Sequence, residues 1–350
     1  MDAGAGGDTL DDARVPQPSS KQLLSLRVLS IILTLLRVGP VLVLILLIVI
    51  LGLLSPYFLT PRNLGNVLAQ TAVIATLSMG QHLVILTRGI DLSVGSNLAL
   101  ASVAGALLFR SLPSSLPVVA AMLAVGTAVG AVNGLVYVFG RLPHPFIITL
   151  ATLSICKGLA FELSGGQAVT GMPDLVRLIG HETIGWLPVS ALVVAVLAVG
   201  VSMVGRRMVW GRWLYAVGGN PDAALRAGIP VRWVTVSAYV LSGLAAGIGA
   251  IIVSGRTNAG SGLFGDLAEL DSIAAVIIGG ASFLGGRGHV GHALVGALMI
   301  GVLRNALNLL NVDIFFQLIV IGVVIVLAVE SDVLRGRLEE RFRVHQAALA

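Results

Sequence analysis

Charge is what this sequence has least of. Charged residues make up 11% of its 350 residues, against about 25% in a typical soluble domain. Hydrophobic residues make up 56%, and the mean hydropathy is +0.97. So little charge in so apolar a chain excludes a disordered protein, a coiled coil and a soluble enzyme. The composition predicts an integral membrane protein.

Cysteine and aromatic residues are also scarce. Cys156 is the single cysteine, so an internal disulfide is excluded. Aromatic residues make up 5%, and no stretch alternates them with basic residues, which argues against nucleic-acid binding despite a net charge of +5. We interpret the basic residues instead as signals of membrane orientation.

Uncharged stretches mark the membrane-spanning segments, because a helix needs about 20 residues to cross about 30 Å of hydrocarbon. The shorter stretches are rich in glycine, which is typical of helices broken around a transport path. Together they predict an all-α polytopic membrane protein with about ten transmembrane helices, at 38–61, 63–87, 92–109, 111–140, 142–156, 183–205, 233–255, 272–286, 288–303 and 314–329.

The basic residues predict which side of the membrane each loop lies on, because lysine and arginine concentrate in cytoplasmic loops. With the N-terminus inside, sixteen of them fall on the cytoplasmic side, and four fall outside: Arg62, Arg110, Arg177 and Arg256. Both termini are therefore expected in the cytoplasm. The expected organisation is a tail with an interfacial helix at 1–37, a transmembrane domain at 38–330 with a cytoplasmic loop at about 205–232, and a cytoplasmic tail at 331–350.

Three short matches suggest chemistry that the rest of the chain does not support. Residues 163–167 read LSGGQ, the signature of ATP-binding-cassette ATPases, but no phosphate-cradling G-x-x-x-x-G-K-[ST] loop accompanies it. His289 and His292 have no acidic residue or cysteine nearby to complete a metal site. Ser242 lacks the preceding glycine of an intramembrane serine protease. We therefore predict neither catalytic nor metal-binding residues.

A secondary carrier or facilitator for a small polar solute is the alternative class. Ion-coupled carriers usually place a carboxylate near mid-membrane, whereas Asp91, Glu162 and Asp271 are all expected near span ends. Lys157 and Arg304 fall within spans, where they either line a pathway or extend their charges to the interface.

The densest polar cluster between two spans is the turn RGIDLSVGS, at 88–96. Asp91 can accept backbone N–H bonds at the start of the next helix, where its charge suits the positive end of that helix. Gly89 and Gly95 permit a tight re-entry of the chain. The sequence predicts a capped turn here.

The cytoplasmic loop contains a short helix with signals at both ends. Asn220 suits the N-cap, Pro221 the first helical position, and Gly228 the position after the C-cap. Ala223 and Ala224 give it a small-residue face that could fit a groove of a partner, since so short a helix is not stable alone.

Four motifs in preserved order resemble the membrane permeases of bacterial ABC importers for monosaccharides, the ribose-type family. The likeness runs from about residue 40 to 330. The motifs are LVILTRGIDLSVGS (83–96), YAVGGNPDAALRAGI (215–229), ELDSIAAVIIGGASFLGGRG (269–288) and NALNLL (305–310).

The resemblance implies a transport subunit of the bacterial cytoplasmic (inner) membrane that binds no cofactor itself, since ATP and magnesium would bind a separate ATPase. Its implied partners are that ABC ATPase, an extracytoplasmic sugar-binding protein, and a second or related permease copy. The implied ATPase-coupling helix comprises Gly218, Gly219, Asn220, Pro221, Ala223, Ala224 and Gly228. Residues implied to lie near the translocation path are Gly89, Asp91, Ser93, Gly95, Asp271, Asn305 and Asn308, while Arg304 replaces a usual asparagine.

Overall fold

The computed structural model describes residues 38–347. Residues Gly39–Asp332 form one compact unit. The described part of a second unit, 333–347, belongs to the last helix, so the segment expected as a C-terminal tail is helical through Ala347. The expected N-terminal tail with its interfacial helix lies outside the described residues.

Helices make up nearly all of the regular structure in the described part, as the all-α class predicts. In chain order they are α1 (Val38–Leu54), α2 (Pro61–Leu86), α3 (Val94–Ser111), α4 (Ser115–Phe139), α5 (Pro145–Ser164), α6 (Asp174–Gly180), α7 (Val189–Arg207), α8 (Val209–Gly219), α9 (Pro221–Arg226), α10 (Val231–Thr257), α11 (Ala268–Ile278), α12 (Val290–Leu309) and α13 (Ile314–Ala347). Two antiparallel pairs of short strands join β1 (Val169–Thr170) to β4 (Ala259–Gly260) and β2 (Thr183–Ile184) to β3 (Leu187–Pro188).

The expected ten membrane segments each coincide with a helix. Seven helices, α2, α3, α4, α5, α7, α10 and α12, are long and apolar enough to cross a membrane, and shorter apolar helices occupy Val38–Leu54 and Phe315–Leu327. The remaining segment, expected at 272–286, overlaps only the second half of the 11-residue α11, which ends at Ile278. At 1.5 Å per residue this helix is about 16 Å long, roughly half of a span.

Glycines end α11 early. Gly280, Gly285 and Gly286 have φ values of 103°, 81° and 69°, in the left-handed region that glycine adopts without a steric penalty. The chain therefore turns out of the helix after Ile278 and reaches α12 through the non-helical segment 279–289.

The segment before α11, residues 258–267, consists of strand β4 and consecutive turns and packs on α3. The backbone N–H of Ser261 donates to the Ser102 hydroxyl at 3.1 Å, and Gly265 lies in backbone contact with Gly95. Gly95 is at the start of α3 and Ser102 lies two turns later, so residues 258–267 follow α3 back toward its beginning.

Glycine contacts bring α4 and α10 together. A Cβ added to Gly130 would lie 3.0 Å from the Cα of Gly243, and one added to Gly126 would lie 2.9 Å from the Cα of Gly247. Close approach of backbones at small residues is how membrane helices associate without a hydrophobic driving force. The i, i+4 glycine spacing thus marks a real helix–helix interface.

Contacts between distant loops agree with the prediction that successive loops lie on opposite sides of the membrane. The two segments expected outside, near 165–186 and 257–265, are joined by the β1–β4 pair. The segments expected inside also meet one another: Arg88 bonds to Gly218, and the Gly286 N–H donates to the carbonyl of Leu86 at 3.0 Å.

Candidate functional site

Asp91 lies in the interior of the helix bundle. It is 1% exposed, and its carboxylate accepts bonds from the Ser93 hydroxyl at 2.6 Å, the Ser242 hydroxyl at 3.0 Å and the Asn133 amide at 3.4 Å. Ser242 lies eleven residues after the start of α10 at Val231, which is about 16 Å along the helix axis. Asp91 lies between the end of α2 at Leu86 and the start of α3 at Val94, as expected, but the turn folds into the bundle so that its carboxylate meets the middle of α10.

The Asp91 turn, defined as residues 87–93, joins α2 to α3 and is bonded to three further helices. Asn133 of α4 also donates to the Ser93 hydroxyl at 2.8 Å and accepts from Thr152 of α5 at 2.7 Å. The Tyr239 hydroxyl of α10 donates to the carbonyl of Ile90 at 3.4 Å. A buried carboxylate needs such donors, since an unpaired buried charge is costly. A displacement of this turn would therefore disturb α4, α5 and α10 together.

The predicted capping role of Asp91 is present in part. Its carboxylate accepts from the Ser93 backbone N–H at 3.0 Å, one residue before α3 begins at Val94. Gly89 allows the close approach of Tyr239, because a Cβ there would lie about 2.5 Å from the Tyr239 hydroxyl oxygen. Gly95 is required for the backbone contact with Gly265 described above.

Sequence reasoning missed Asn133 and Ser242 as partners of Asp91. A signal existed, because Asn133 is a polar amide in the uncharged stretch 111–140. This polar residue alone does not identify Asp91 as its partner, however, since the two residues lie far apart in the chain.

The short helix α9, expected on the cytoplasmic side, forms over Pro221–Arg226. The Asn220 side chain accepts from the Ala223 N–H at 3.0 Å, and Gly228 has a φ of 81°. Both ends are thus satisfied by the capping residues that the sequence indicated.

The orientation of α9 differs from the expectation. Ala224 is 4% exposed and packs with Leu214, Val217 and Val234 of the same chain. A docking surface must instead use the outward side, where Leu225 is 65% exposed. Sequence alone could not show this, because the direction of so short a helix is set by its packing on α8 and α10.

Three backbone segments meet beside α9, at the ends of α2 and α8 and in the segment 279–289. A Cβ on Gly218 would clash with the carbonyl of Leu86 and lie 2.5 Å from the Gly286 nitrogen. The Tyr215 hydroxyl donates to the Gly288 carbonyl at 2.9 Å. Gly218 is thus required by close backbone packing, and α9 is attached to a tightly packed junction.

Two basic residues within spans form ion pairs. Arg304 of α12 contacts Asp271 of α11 at 2.6 Å, with side-chain exposures of 33% and 4%, and Lys157 of α5 contacts Asp266 at 2.6 Å. Pairing lowers the cost of a charge at membrane depth. The Asp271–Arg304 pair also joins the half-helix α11 to the neighbouring span.

Two asparagines of the last motif pair with other helices. Asn305 and Asn63 exchange amide bonds at 2.9 Å in both directions, which joins α12 to α2. Asn308 accepts from Gln317 at 2.9 Å. These bonds position α12 against its neighbours, and whether either asparagine also lies near the translocation path stays a prediction.

The short sequence matches have ordinary structural explanations. The LSGGQ segment contains the end of α5 at Ser164, where Gly165 is left-handed with a φ of 61°. His289 caps α12 by accepting from the Gly291 N–H at 2.8 Å, and its ring stacks on His292 at 4.8 Å. Within residues 38–347, no group of three His, Cys, Asp or Glu residues could hold a metal ion.

A bundle of apolar helices with one half-length span, a buried polar turn and a short capped helix is compatible with a transport permease, and comparison with known proteins shows that class. A family model described as "Branched-chain amino acid transport system / permease component" matches residues 63–329. No solved structure matches the chain significantly.

Three relatives cover most of the chain. The ribose import permease of Bacillus subtilis is 40% identical, over 85% of this chain and 92% of the relative. The D-allose transport system permease of Escherichia coli is 38% identical, over 85% and 91%. The L-arabinose ABC transporter permease of Azospirillum brasilense is 34% identical, over 85% and 87%. This chain belongs to the same family: it is a permease subunit of an ABC importer, a transport component and not an enzyme.

Proposed function

We propose that this chain translocates a monosaccharide of the ribose type across the bacterial cytoplasmic (inner) membrane. The observation that carries the proposal is the 40% identity to a ribose import permease across nearly the whole of both chains. The other two relatives are named for allose and arabinose, so the proposed substrate class is a free monosaccharide.

An ABC ATPase is proposed to dock on α9 from the cytoplasm. The exposed residues Asp222, Ala223, Leu225 and Arg226 form the outward side of this helix. ATP and magnesium are proposed to bind the ATPase subunit, since this sequence contains no phosphate-cradling loop. A sugar-binding protein is proposed to deliver the substrate to the opposite face, near the β1–β4 pair.

A second permease copy, identical or related, is proposed to complete the translocation path. Two cavities within the described residues, of about 200 and 80 Å³, are lined almost wholly by apolar side chains, such as Phe58 and Trp186 in the first and Leu197 and Leu241 in the second. Such linings offer few groups for sugar hydroxyls. A polar path shared between two copies fits the substrate class better.

Uptake by reconstituted vesicles tests the proposal. The chain is incorporated with its ATPase, and radiolabelled ribose, allose and arabinose are supplied with the binding protein. Uptake should require hydrolysable ATP, fail with a non-hydrolysable analogue and survive an ionophore that collapses ion gradients. Gradient-driven uptake without the ATPase would contradict the proposal and support a secondary carrier. ATP-driven uptake of none of the three sugars would contradict the substrate class.

A further inference from the structure

Arg88 connects the coupling region to the buried Asp91 turn. We infer that Arg88 is a positioning residue that transmits movement of α9 to this turn, and thereby to the bundle interior. The inference rests on the proposed function, because it assumes that an ATPase moves α9.

The guanidinium group binds the end of α8. Its Nε donates to the Gly218 carbonyl and its Nη2 to the Gly219 carbonyl, both at 2.6 Å. The last carbonyls of a helix attract positive charge, and the rigid planar fork of arginine suits two adjacent acceptors. Gly219 directly precedes Asn220, the N-cap of α9. The two bonds therefore end one residue from the coupling helix.

The path from Arg88 to Asp91 is short and tightly packed. Gly89 lies against the Tyr239 hydroxyl, which donates to the Ile90 carbonyl. Asp91 follows at once, with its bonds to Ser93, Asn133 and Ser242. Three consecutive residues thus lead from the coupling region to a carboxylate shared by several helices, so a displacement of the guanidinium that its side chain does not absorb is passed to the turn.

The backbone of Arg88 supports this interpretation. Its φ is 64°, a left-handed conformation that L-residues other than asparagine, aspartate and glycine seldom adopt. Glycine would be the ordinary residue at this position. An arginine held there by two bonds of its side chain indicates that the side chain is needed.

Two simpler roles for Arg88 are open to test. Its charge could serve only to orient the membrane protein, in which case lysine would replace it fully. Its bonds could serve only local folding, in which case their loss would reduce the amount of assembled complex. Neither role predicts a fully assembled complex that hydrolyses ATP without moving sugar.

The experiment compares Arg88→Gly, Arg88→Lys and a control, Arg232→Ala, in the complete complex of permease, ATPase and binding protein. Arg88→Gly suits the positive φ, so folding should be preserved. We expect normal abundance, normal ATPase co-purification and normal basal hydrolysis. Sugar transported per ATP should fall about tenfold, within the usual range of coupling between two sites. Arg88→Lys should retain only part of the sugar transported per ATP. Arg232→Ala replaces an exposed arginine that is expected in the cytoplasm, and it should match wild type.

A thiol probe reports the movement directly. With Cys156→Ser as background, a cysteine replacing the half-buried Ile90 should change its labelling rate when ATP binds the complex. Arg88→Gly should abolish that change.

Four results would overturn the inference: wild-type coupling in Arg88→Gly, full rescue by lysine, uptake lost only in proportion to assembled complex, or ATP-dependent labelling that persists in Arg88→Gly. A wild-type chain that neither binds an ATPase nor transports sugar would instead refute the proposed function.

Discussion

Leu225 offers the sharpest test of ATPase docking. It is a large apolar side chain, 65% exposed, on the outward side of a cytoplasmic helix. Truncation by Leu225→Ala removes about three carbons, each contributing about 0.8 kcal/mol when buried. Scaled by the exposed fraction that a partner could cover, the loss of binding free energy is about 1.5 kcal/mol. This loss raises the dissociation constant of the permease–ATPase complex about tenfold.

The folded permease should be unaffected by this change, because substitutions at exposed positions usually alter stability by about 0.5 kcal/mol or less. The assay titrates purified ATPase against detergent-solubilised permease and measures the dissociation constant by light scattering or fluorescence. Leu178→Ala is the matched control, since Leu178 is 48% exposed in the segment expected outside, near 165–186. ATPase affinity for Leu225→Ala equal to that of wild type would refute docking through this face of α9.

Ala224 lies on the buried side of α9, opposite to the exposed Leu225. It is buried against its own chain, so Ala224→Arg would force an unpaired charge into an apolar cluster, at a cost of several kcal/mol. We expect reduced abundance or a displaced α9, visible as a lower melting temperature of the permease purified alone. A fully stable Ala224→Arg protein would contradict the packing of α9 described here.

Three further predictions concern topology, packing and energy. In a Cys156→Ser background, Asp174→Cys should react with an impermeant thiol reagent in intact cells, whereas Ala227→Cys should react only after permeabilisation; the reverse pattern would refute the orientation. Gly130→Val should lower the melting temperature, because overpacking costs about 1–3 kcal/mol or more, while Gly158→Val, with open space around it, should not. Purified without partners, the chain should neither bind nor hydrolyse ATP in a filter-binding and phosphate-release assay, and hydrolysis would revive an ATPase function for the LSGGQ segment.

Features fixed by neighbouring residues were predictable from the sequence. The caps of α9 at Asn220 and Gly228 depend on nearby backbone groups, so residue type and order were enough. The positions of the spans followed from length and the absence of charge.

Features fixed by packing between distant segments were not predictable. The depth of Asp91 depends on donors 42 and 151 residues away in sequence, and no local pattern reports such a pairing. The glycines after α11 were visible in the sequence, but the contact of Gly286 with the Leu86 carbonyl of α2 joins residues 200 positions apart. The inward direction of Ala224 is likewise set by the packing of α9 on α8 and α10.

The non-helical segment 258–267 has a consequence for how the protein is made. A backbone segment without helical hydrogen bonds is tolerated at membrane depth only where protein or water satisfies its polar groups. The partners of residues 258–267 lie on α3, at Gly95 and Ser102. This part of the chain therefore cannot be released into lipid as an independent helix during synthesis. Its polar backbone groups find these partners only once α3 is in place beside it.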